Sequence, residues 1–419
     1  AGAEQTIVEF DGDSNLKRIA SVGLSHRVWD NLGTASVSWQ QAGISMTLRD
    51  APLWGDRIRA NADLFGFRWF DRPGSARFRP GVDTQLYVFG LDARYYGDSV
   101  VAAVGRFQPN HAPGVLVLDG VQLGARDTAG FEEIGVYGGG YPDLVDIGRT
   151  VDRWTAGLYY HFVLGDHDGL SIDHDARVAV VQTPSEEMYY EAQPRVRLRI
   201  QNEFELTGEL RVGLEEASID GGRASLWVPL GEEVQITGNY RYYSERALLN
   251  DAIGPRVLLP GSTQHADAAF QWQPSPWLIA RATSWYAFDE QTDRDRLMIG
   301  PEVVLPTGFF GYGSLSAGYR EEFGWLTGRT VFMQAVAEPA QSLSIVGRVS
   351  YFNDTYEREL AAVSFDEIGL YGNLRWALDP RFTLEFSLLS RAGLTTVLEK
   401  RLRNERLGLT SRLALTGWF

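Results

Sequence analysis

Apolar side chains in this chain recur at every second residue, and no stretch approaches the roughly 18–20 consecutive apolar residues that a membrane-spanning helix needs. Between Leu407 and Phe419, the residues Leu407, Leu409, Leu413, Leu415 and Phe419 fall on one side. Arg406, Gly408, Thr410, Arg412, Thr416 and Trp418 fall on the other. Trp154, Ala156, Leu158, Tyr160 and Phe162 alternate with Arg153, Thr155, Tyr159 and His161 in the same way. So do Val234, Ile236, Tyr240 and Tyr242 with Gln235, Thr237, Asn239 and Arg241, and Phe382, Leu384, Phe386 and Leu388 with their polar neighbours. Successive side chains of a strand point to opposite faces, so each segment is a strand with one oily and one wet face. Period two alone also fits a soluble sandwich.

The turns separate the two. Short Pro-bearing turns occur at Pro229-Leu230-Gly231, Pro274-Ser275-Pro276, Glu338-Pro339-Ala340 and Asp379-Pro380, and longer polar links alternate with them at Leu248–Ser262, Asp289–Asp295, Asn353–Ala362 and Arg391–Asn404. Short turns on one rim and long loops on the other belong to a transmembrane barrel. Counting hairpins back from Phe419 predicts about 22 strands (range 18–22), from 16–28 near the start to 404–419 at the end. Asp119-Gly120 reads either as strand or as a hairpin turn. The expected fold is all-β: a single antiparallel up-and-down barrel over 16–419, with a periplasmic segment at 1–15, short periplasmic turns and longer extracellular loops. Ala1-Gly2-Ala3-Glu4 lacks a charged and apolar leader, so a signal peptide is expected to have been removed already.

Composition narrows the chemistry. The formal charge of −15 (39 Lys and Arg against 54 Asp and Glu) argues against a nucleic-acid partner, which needs a basic surface. With no cysteine there is no disulfide, thiolate metal site or thiol nucleophile. Lysine occurs only at Lys17 and Lys400, so nearly all positive charge is guanidinium, which suits a wall holding carboxylates in fixed geometry. Trp29, Trp54, Trp277, Trp325 and Trp376 fall near expected strand ends, where amphipathic rings meet lipid headgroups.

The run Gly408-Leu409-Thr410-Ser411-Arg412-Leu413-Ala414-Leu415-Thr416-Gly417-Trp418-Phe419 resembles the C-terminal assembly signal of Gram-negative outer-membrane β-barrels. Gly417 departs from the usual bulky residue. The resemblance implies that Leu413, Leu415 and Phe419 are read by the barrel-assembly machinery. It also implies a bacterial outer-membrane location, among lipid and lipopolysaccharide. A looser resemblance, through Gly105-Arg106, Asp119-Gly120 and Tyr137-Gly138-Gly139, is to porin-type barrels of proteobacteria, including barrels that sheath multihaem cytochromes.

Two constellations carry chemistry. Arg195, Arg197 and Arg199 share a face, and Glu205, Glu209 and Arg211 share one beyond a turn. A three-residue turn at Gln201–Glu203 opposes Ile200 to Phe204, Arg199 to Glu205 and Arg195 to Glu209, with roughly 0.2–1 kcal/mol for each cross-strand opposite pair. Either the wall neutralises itself, or the patch meets a translocating solute or a lodged protein. Arg241, Arg348, Arg375 and Glu385 extend the wet faces of other strands. The second constellation is Asp166, His167 and Asp168 with Asp173, His174 and Asp175: carboxylates for Ca²⁺ and imidazoles for a transition metal, or ordinary turn chemistry. There is no HExxH, Gly-x-Ser-x-Gly or phosphate-loop motif, and adjacent acids such as Glu132/Glu133 and Glu321/Glu322 point to opposite faces. No enzyme activity is expected.

Width shapes the functional expectation. Barrels near 22 strands are normally plugged, and only about 15 residues precede the first expected strand. Phe67–Asp83 and Leu248–Ser262 would narrow a wide lumen without filling it. The expectation is therefore a sheath filled by a partner, on the looser resemblance a multihaem cytochrome carrying electrons across the outer membrane. The barrel would hold no cofactor of its own, save Ca²⁺ at the Asp/His set, and haem would come only through the partner. The alternative is a diffusion porin or exporter for anionic solutes or polysaccharide. A third is a surface adhesin or structural barrel.

Overall fold

Alternation resolves into a closed wall. The computed structural model describes residues 20–31, 38–54, 57–71, 84–114, 117–127, 129, 131–142, 150–165, 169–182, 188–200, 203–244, 262–290, 293–307, 312–358, 361–379, 382–397 and 402–418. The strands are β1 (Ala20–Asn31), β2 (Ser38–Trp54), β3 (Ile58–Asp71), β4 (Thr84–Tyr96), β5 (Val100–Phe107), β6 (Leu118–Arg126), β7 (Glu132–Pro142), β8 (Thr150–Gly165), β9 (Leu170–Gln182), β10 (Met188–Ile200) and β11 (Phe204–Gly213). They continue as β12 (Ser218–Leu230), β13 (Val234–Tyr243), β14 (Thr263–Ser275), β15 (Leu278–Asp289), β16 (Arg294–Thr307), β17 (Tyr312–Gly324), β18 (Leu326–Ala340), β19 (Leu343–Arg358), β20 (Ala361–Asp379), β21 (Phe382–Val397) and β22 (Leu402–Trp418). Each pairs antiparallel with its neighbour in sequence, and β1 pairs with β22 from Ser21↔Trp418 to Asn31↔Gly408. The architecture is thus an all-β up-and-down barrel of 22 strands, the upper end of the expected range. Residues 1–15 lie outside the described residues.

The rim where β1 begins carries connections of at most five residues, whereas the opposite rim carries some far longer, up to the 19 residues between Tyr243 and Thr263. Asp119 and Gly120 are strand interior, paired with Arg106 and Gly105 on one side and Gly140 and Gly139 on the other, so the hairpin-turn reading is set aside. A Gly120↔Gly139 pair explains why that run can be glycine-rich and still be sheet. A Cβ on Gly120 would stand 2.1 Å from the Gly138 carbonyl oxygen. One on Gly139 would stand 2.5 Å from that of Asp119.

The outward face is apolar and bare. Leu158 is 61% exposed, Val121 57% and Val178 50%, and Leu413 and Leu415 of the last strand are exposed on the same side. A continuous belt of this kind exceeds what water-soluble proteins expose and fits hydrocarbon surroundings. No helix among the described residues is long and apolar enough to cross a membrane, a statement that leaves strands untouched. Trp54, Trp277, Tyr312 and Trp376 stand exposed at the short-turn rim, where an aromatic girdle belongs. Trp325 lies at the opposite rim, with Arg294 over its ring at 5.5 Å. The side chains of Trp29, Trp418 and Phe419 lie outside the described set.

Gly120→Ala should destabilise the barrel by about 1–3 kcal/mol, the usual cost of forcing atoms into a filled site. Gly208→Ala, where a Cβ meets nothing within 4 Å, should leave stability unchanged. Urea unfolding of the two variants in detergent micelles, followed by tryptophan fluorescence, gives the comparison.

Candidate functional site in the lumen

The β5–β6 hairpin is low. β5 has 8 residues and β6 has 9, against 13 in β4 and 16 in β8, so the connection at 108–117 leaves the wall partway up instead of at the rim. Its residues 110–114 pack on the polar, inner face of the wall between β4 and β11, where several of their backbone polar groups find partners. The Asn110 N–H donates to Gln122 Oε1 at 2.9 Å while Gln122 Nε2 donates back to the Asn110 carbonyl at 3.0 Å. Arg94 donates to Asn110 Oδ1 at 2.9 Å, and Arg211 to the Gly114 carbonyl at 3.4 Å. Ala112 completes a buried cluster with Leu118, Tyr137, Tyr141, Tyr159, Ala179, Val181 and Tyr189. Gly114, at φ +73°, lies against Gln193, whose Oε1 would be 2.3 Å from any Cβ added there.

At the centre of the contact is Arg177, 1% exposed. Its guanidinium pairs with Glu191, itself 2% exposed, and donates to the Pro113 carbonyl. It also donates to Gln193 Oε1 at 2.7 Å and to the Tyr137 hydroxyl at 3.1 Å. Glu191 Oε2 is 3.6 Å from Arg211 Nε. A buried pair repays its desolvation only when the remaining donors and lone pairs are met, and here the connection supplies one of the missing acceptors. The inward segment is therefore part of the wall's charge balance, fixed to it at several points.

Register in the arginine ladder is as the sequence predicts: Ile200↔Phe204, Arg199↔Glu205 and Arg195↔Glu209. The ion pairs run differently. Glu205 receives both Arg197, at 2.8 Å, and Arg199, at 3.2 Å. Arg195 turns away from Glu209 to Asp175 on β9, and Glu209 takes Arg223 at 2.6 Å together with Gln193. The correction has a simple cause: each strand has two neighbours, and a single hairpin in the sequence shows only one.

A cavity of about 360 Å³ opens here, lined on the inner face by Asp173, Arg195, Arg197, Glu205, Arg223 and Arg241 among others. Among the described residues no carboxylate lies in ion-pair range of Arg241. The remaining ladder residues are not brought to this place. Arg348 is on β19, over the Phe332 ring at 4.3 Å with Arg320 at 5.2 Å from the same ring. Arg375 and Glu385 face each other between β20 and β21. They line other parts of the lumen.

The acidic histidine set is divided. Asp166, His167 and Asp168 lie outside the described residues. Asp173 and Asp175 face the lumen, whereas His174, on the opposite face of β9, stacks on Phe162 at 4.9 Å between ring centres. Strand alternation separates what sequence adjacency suggested. His161, opposite Asp175 across β8–β9, and His111, from the inward connection, stand at Asp175 instead. Pairing parity could have found His161; nothing local in the sequence signals His111. Of the two segments expected to narrow the lumen, residues 67–71 belong to β3, and 72–83 and 248–261 lie outside the described residues.

Arg177→Met should cost about 3–5 kcal/mol, because it leaves the Glu191 carboxylate buried and alone. The double change Arg177→Met/Glu191→Gln should cost distinctly less. Chemical unfolding of both variants reads the difference.

No protein-family model and no curated protein matches the chain. Solved structures do. The P pilus usher (PapC) translocation pore matches with a TM-score of 0.56 at 8% identity, covering 96% of this chain and 99% of that one. OccAB4 of Acinetobacter baumannii matches with a TM-score of 0.46 at 12% identity, covering 96% and 98%. A BenF-like porin from Pseudomonas fluorescens Pf-5 matches with a TM-score of 0.42 at 10% identity, covering 96% and 98%. At such identities the likeness to the usher pore is one of fold.

Proposed function

We infer that this chain is a bacterial outer-membrane pore whose lumen is narrowed by its own β5–β6 connection and admits small anionic solutes by diffusion. The observation that carries the reading is the inward connection, held by Arg177, Arg211 and Gln122. A hairpin so placed is a constriction made by the barrel itself. Beneath it, toward the short-turn rim, the cavity is lined by Arg195, Arg197, Arg223 and Arg241. The first three are held by Asp175, Glu205 and Glu209, which leaves Arg241 as the guanidinium with no carboxylate in ion-pair range among the described residues. Charge of one sign in a low-dielectric cleft concentrates counter-ions and steers them inward, by roughly 10–10³ in on-rate at low salt. The apolar belt and the girdle support a bilayer setting, with the short-turn rim toward the periplasm. The fold-level likeness to the usher translocation pore fits a conducting barrel.

The sheath reading retains one supporting observation, breadth. The connection contacts the wall between β4 and β11, and 22 strands leave the inner faces of β12 to β22 uncovered by any described segment. A lodged partner such as a multihaem cytochrome would bear on those faces.

Purified barrel in planar bilayers should conduct, with anions favoured over cations at low salt. Replacing Arg197, Arg223 and Arg241 together by Gln should bring the permeability ratio toward unity, and raising the salt should erase most of the difference as the Debye length shrinks to about 3 Å at 1 M. A closed, haem-bearing complex on gentle purification would instead favour the sheath. Cation selectivity in the unmodified pore would overturn the anionic assignment.

A further inference from the structure

We propose that His111, His161, Asp175 and Asp173 form a divalent transition-metal site that fastens the inward connection to the barrel wall. The donors come from three pieces of chain. His161 of β8 and Asp175 of β9 are register partners, and Asp173 is the next inward-facing residue of β9. His111 is delivered by the connection at φ +54°, its ring stacked on that of His161 with centres 3.7 Å apart.

Both rings present Nδ1 to the same oxygen. His111 Nδ1 is 2.9 Å and His161 Nδ1 3.0 Å from Asp175 Oδ1, and Asp173 Oδ1 is 3.6 Å from His161 Nδ1. One ligand atom from each of His111, His161 and Asp175 fits within a mutual span of 4.8 Å. Around a four-coordinate ion with bonds of about 2.0–2.1 Å, neighbouring ligand atoms stand roughly 3.3–3.4 Å apart. The contacts of 2.9 and 3.0 Å to Asp175 Oδ1 are shorter than that edge and the 3.6 Å one longer. His111, His161 and Asp175 make the compact N₂O set, and Asp173, close to His161 alone, would move inward to supply the second oxygen.

Two details point past a plain hydrogen-bonded tether. Arg195 holds the other oxygen of Asp175, which orients the carboxylate and leaves Oδ1 turned toward the imidazoles, as an outer partner does for a metal ligand. Asp173 Oδ1 is buried and has no hydrogen-bond partner among the described residues. An orphaned anionic oxygen beside two imidazole nitrogens is a group for which a cation would account. Two imidazoles with two carboxylate oxygens suit Zn²⁺, Ni²⁺ or Cu²⁺ and not Ca²⁺, which takes six to eight oxygen ligands. Bound metal would cross-link residue 111 to strands β8 and β9, setting how firmly the constriction is held.

The test is calorimetric titration of Zn²⁺ into chelator-stripped, folded barrel in detergent micelles, which requires no conduction and so stands apart from the pore assignment. One saturable site is expected, with no matching uptake of Ca²⁺. His111→Ala and His161→Ala should each weaken Zn²⁺ binding by roughly tenfold or more, while His174→Ala, on the outer face of β9, leaves it unchanged. If His161→Ala does not fold, His111→Ala, a change in the connection and not the wall, carries the comparison. Zn²⁺ should then raise the unfolding temperature of the unmodified barrel and not of that variant. Absence of saturable Zn²⁺ uptake by the unmodified protein, or equal affinity in His111→Ala, would overturn the site.

Discussion

A strand surrounded by hydrocarbon has no water to satisfy its backbone, so every N–H and C=O must find a partner within the sheet. β22 meets this condition only because β1 lies on one side of it and β21 on the other. Closure then dictates much of the rest. It gives every strand an outer face that must be apolar and an inner face free to be charged. Directly opposed residues of neighbouring strands share a face, so a shift of register is absorbed at a bulge, as between Arg211 and Val212 opposite β12. It also encloses a space that 22 strands make too wide to leave unmanaged.

The chain manages part of that space with its own wall. Shortening β5 and β6 frees the connection between them at mid-height, and the inner face opposite carries what the connection needs. Gln122 mirrors a backbone amide for Asn110, Arg177 and Arg211 donate to the carbonyls of Pro113 and Gly114, and tyrosines bury Ala112. Without these partners the connection's polar groups would be better off in water, and a free loop would pay the entropy of ordering for nothing. Arg177 and Glu191 are just as dependent on the arrangement. A guanidinium 1% exposed needs all its donors met, and Pro113 meets one of them. Wall and connection are thus stable as a unit.

What the sequence discloses follows from how local the governing physics is. Alternation and Pro turns are local, so they predict about 22 strands where the barrel has 22, and the three-residue turn before Phe204 fixed the Arg199↔Glu205 register. Ion-pair partners are one step less local. Arg195 has carboxylates on both flanking strands, and which one it takes depends on side-chain reach, so Glu209 was expected and Asp175 is found. Asp173, His174 and Asp175 look like one ligand set in sequence, but the period of the strand sends His174 to the lipid side. The inward connection is least local of all. Residues 108–117 carry Pro109, Pro113 and Gly114, the composition of any surface loop, and their partners on β9 to β11 lie more than sixty residues away.

The same region also bears on what the lumen holds. Gly105, Asp119, Gly120, Gly138 and Gly139, which carry the looser resemblance to porin-type and cytochrome-sheathing barrels, are the residues that build the low hairpin and its neighbour β7. Gly105 lies at φ +123°, where a Cβ would meet the Leu91 carbonyl at 2.3 Å, and Gly120 and Gly139 let β6 and β7 approach without side chains between them. These glycines therefore have a structural reason to be there that does not invoke a partner: they shape the wall from which the connection departs. A sheath would call for an inner surface complementary to its occupant, whereas Arg94, Gln122, Arg177 and Arg211 are turned to a segment of the same chain. These contacts hold residues of the same chain inside the barrel beside β4 to β11.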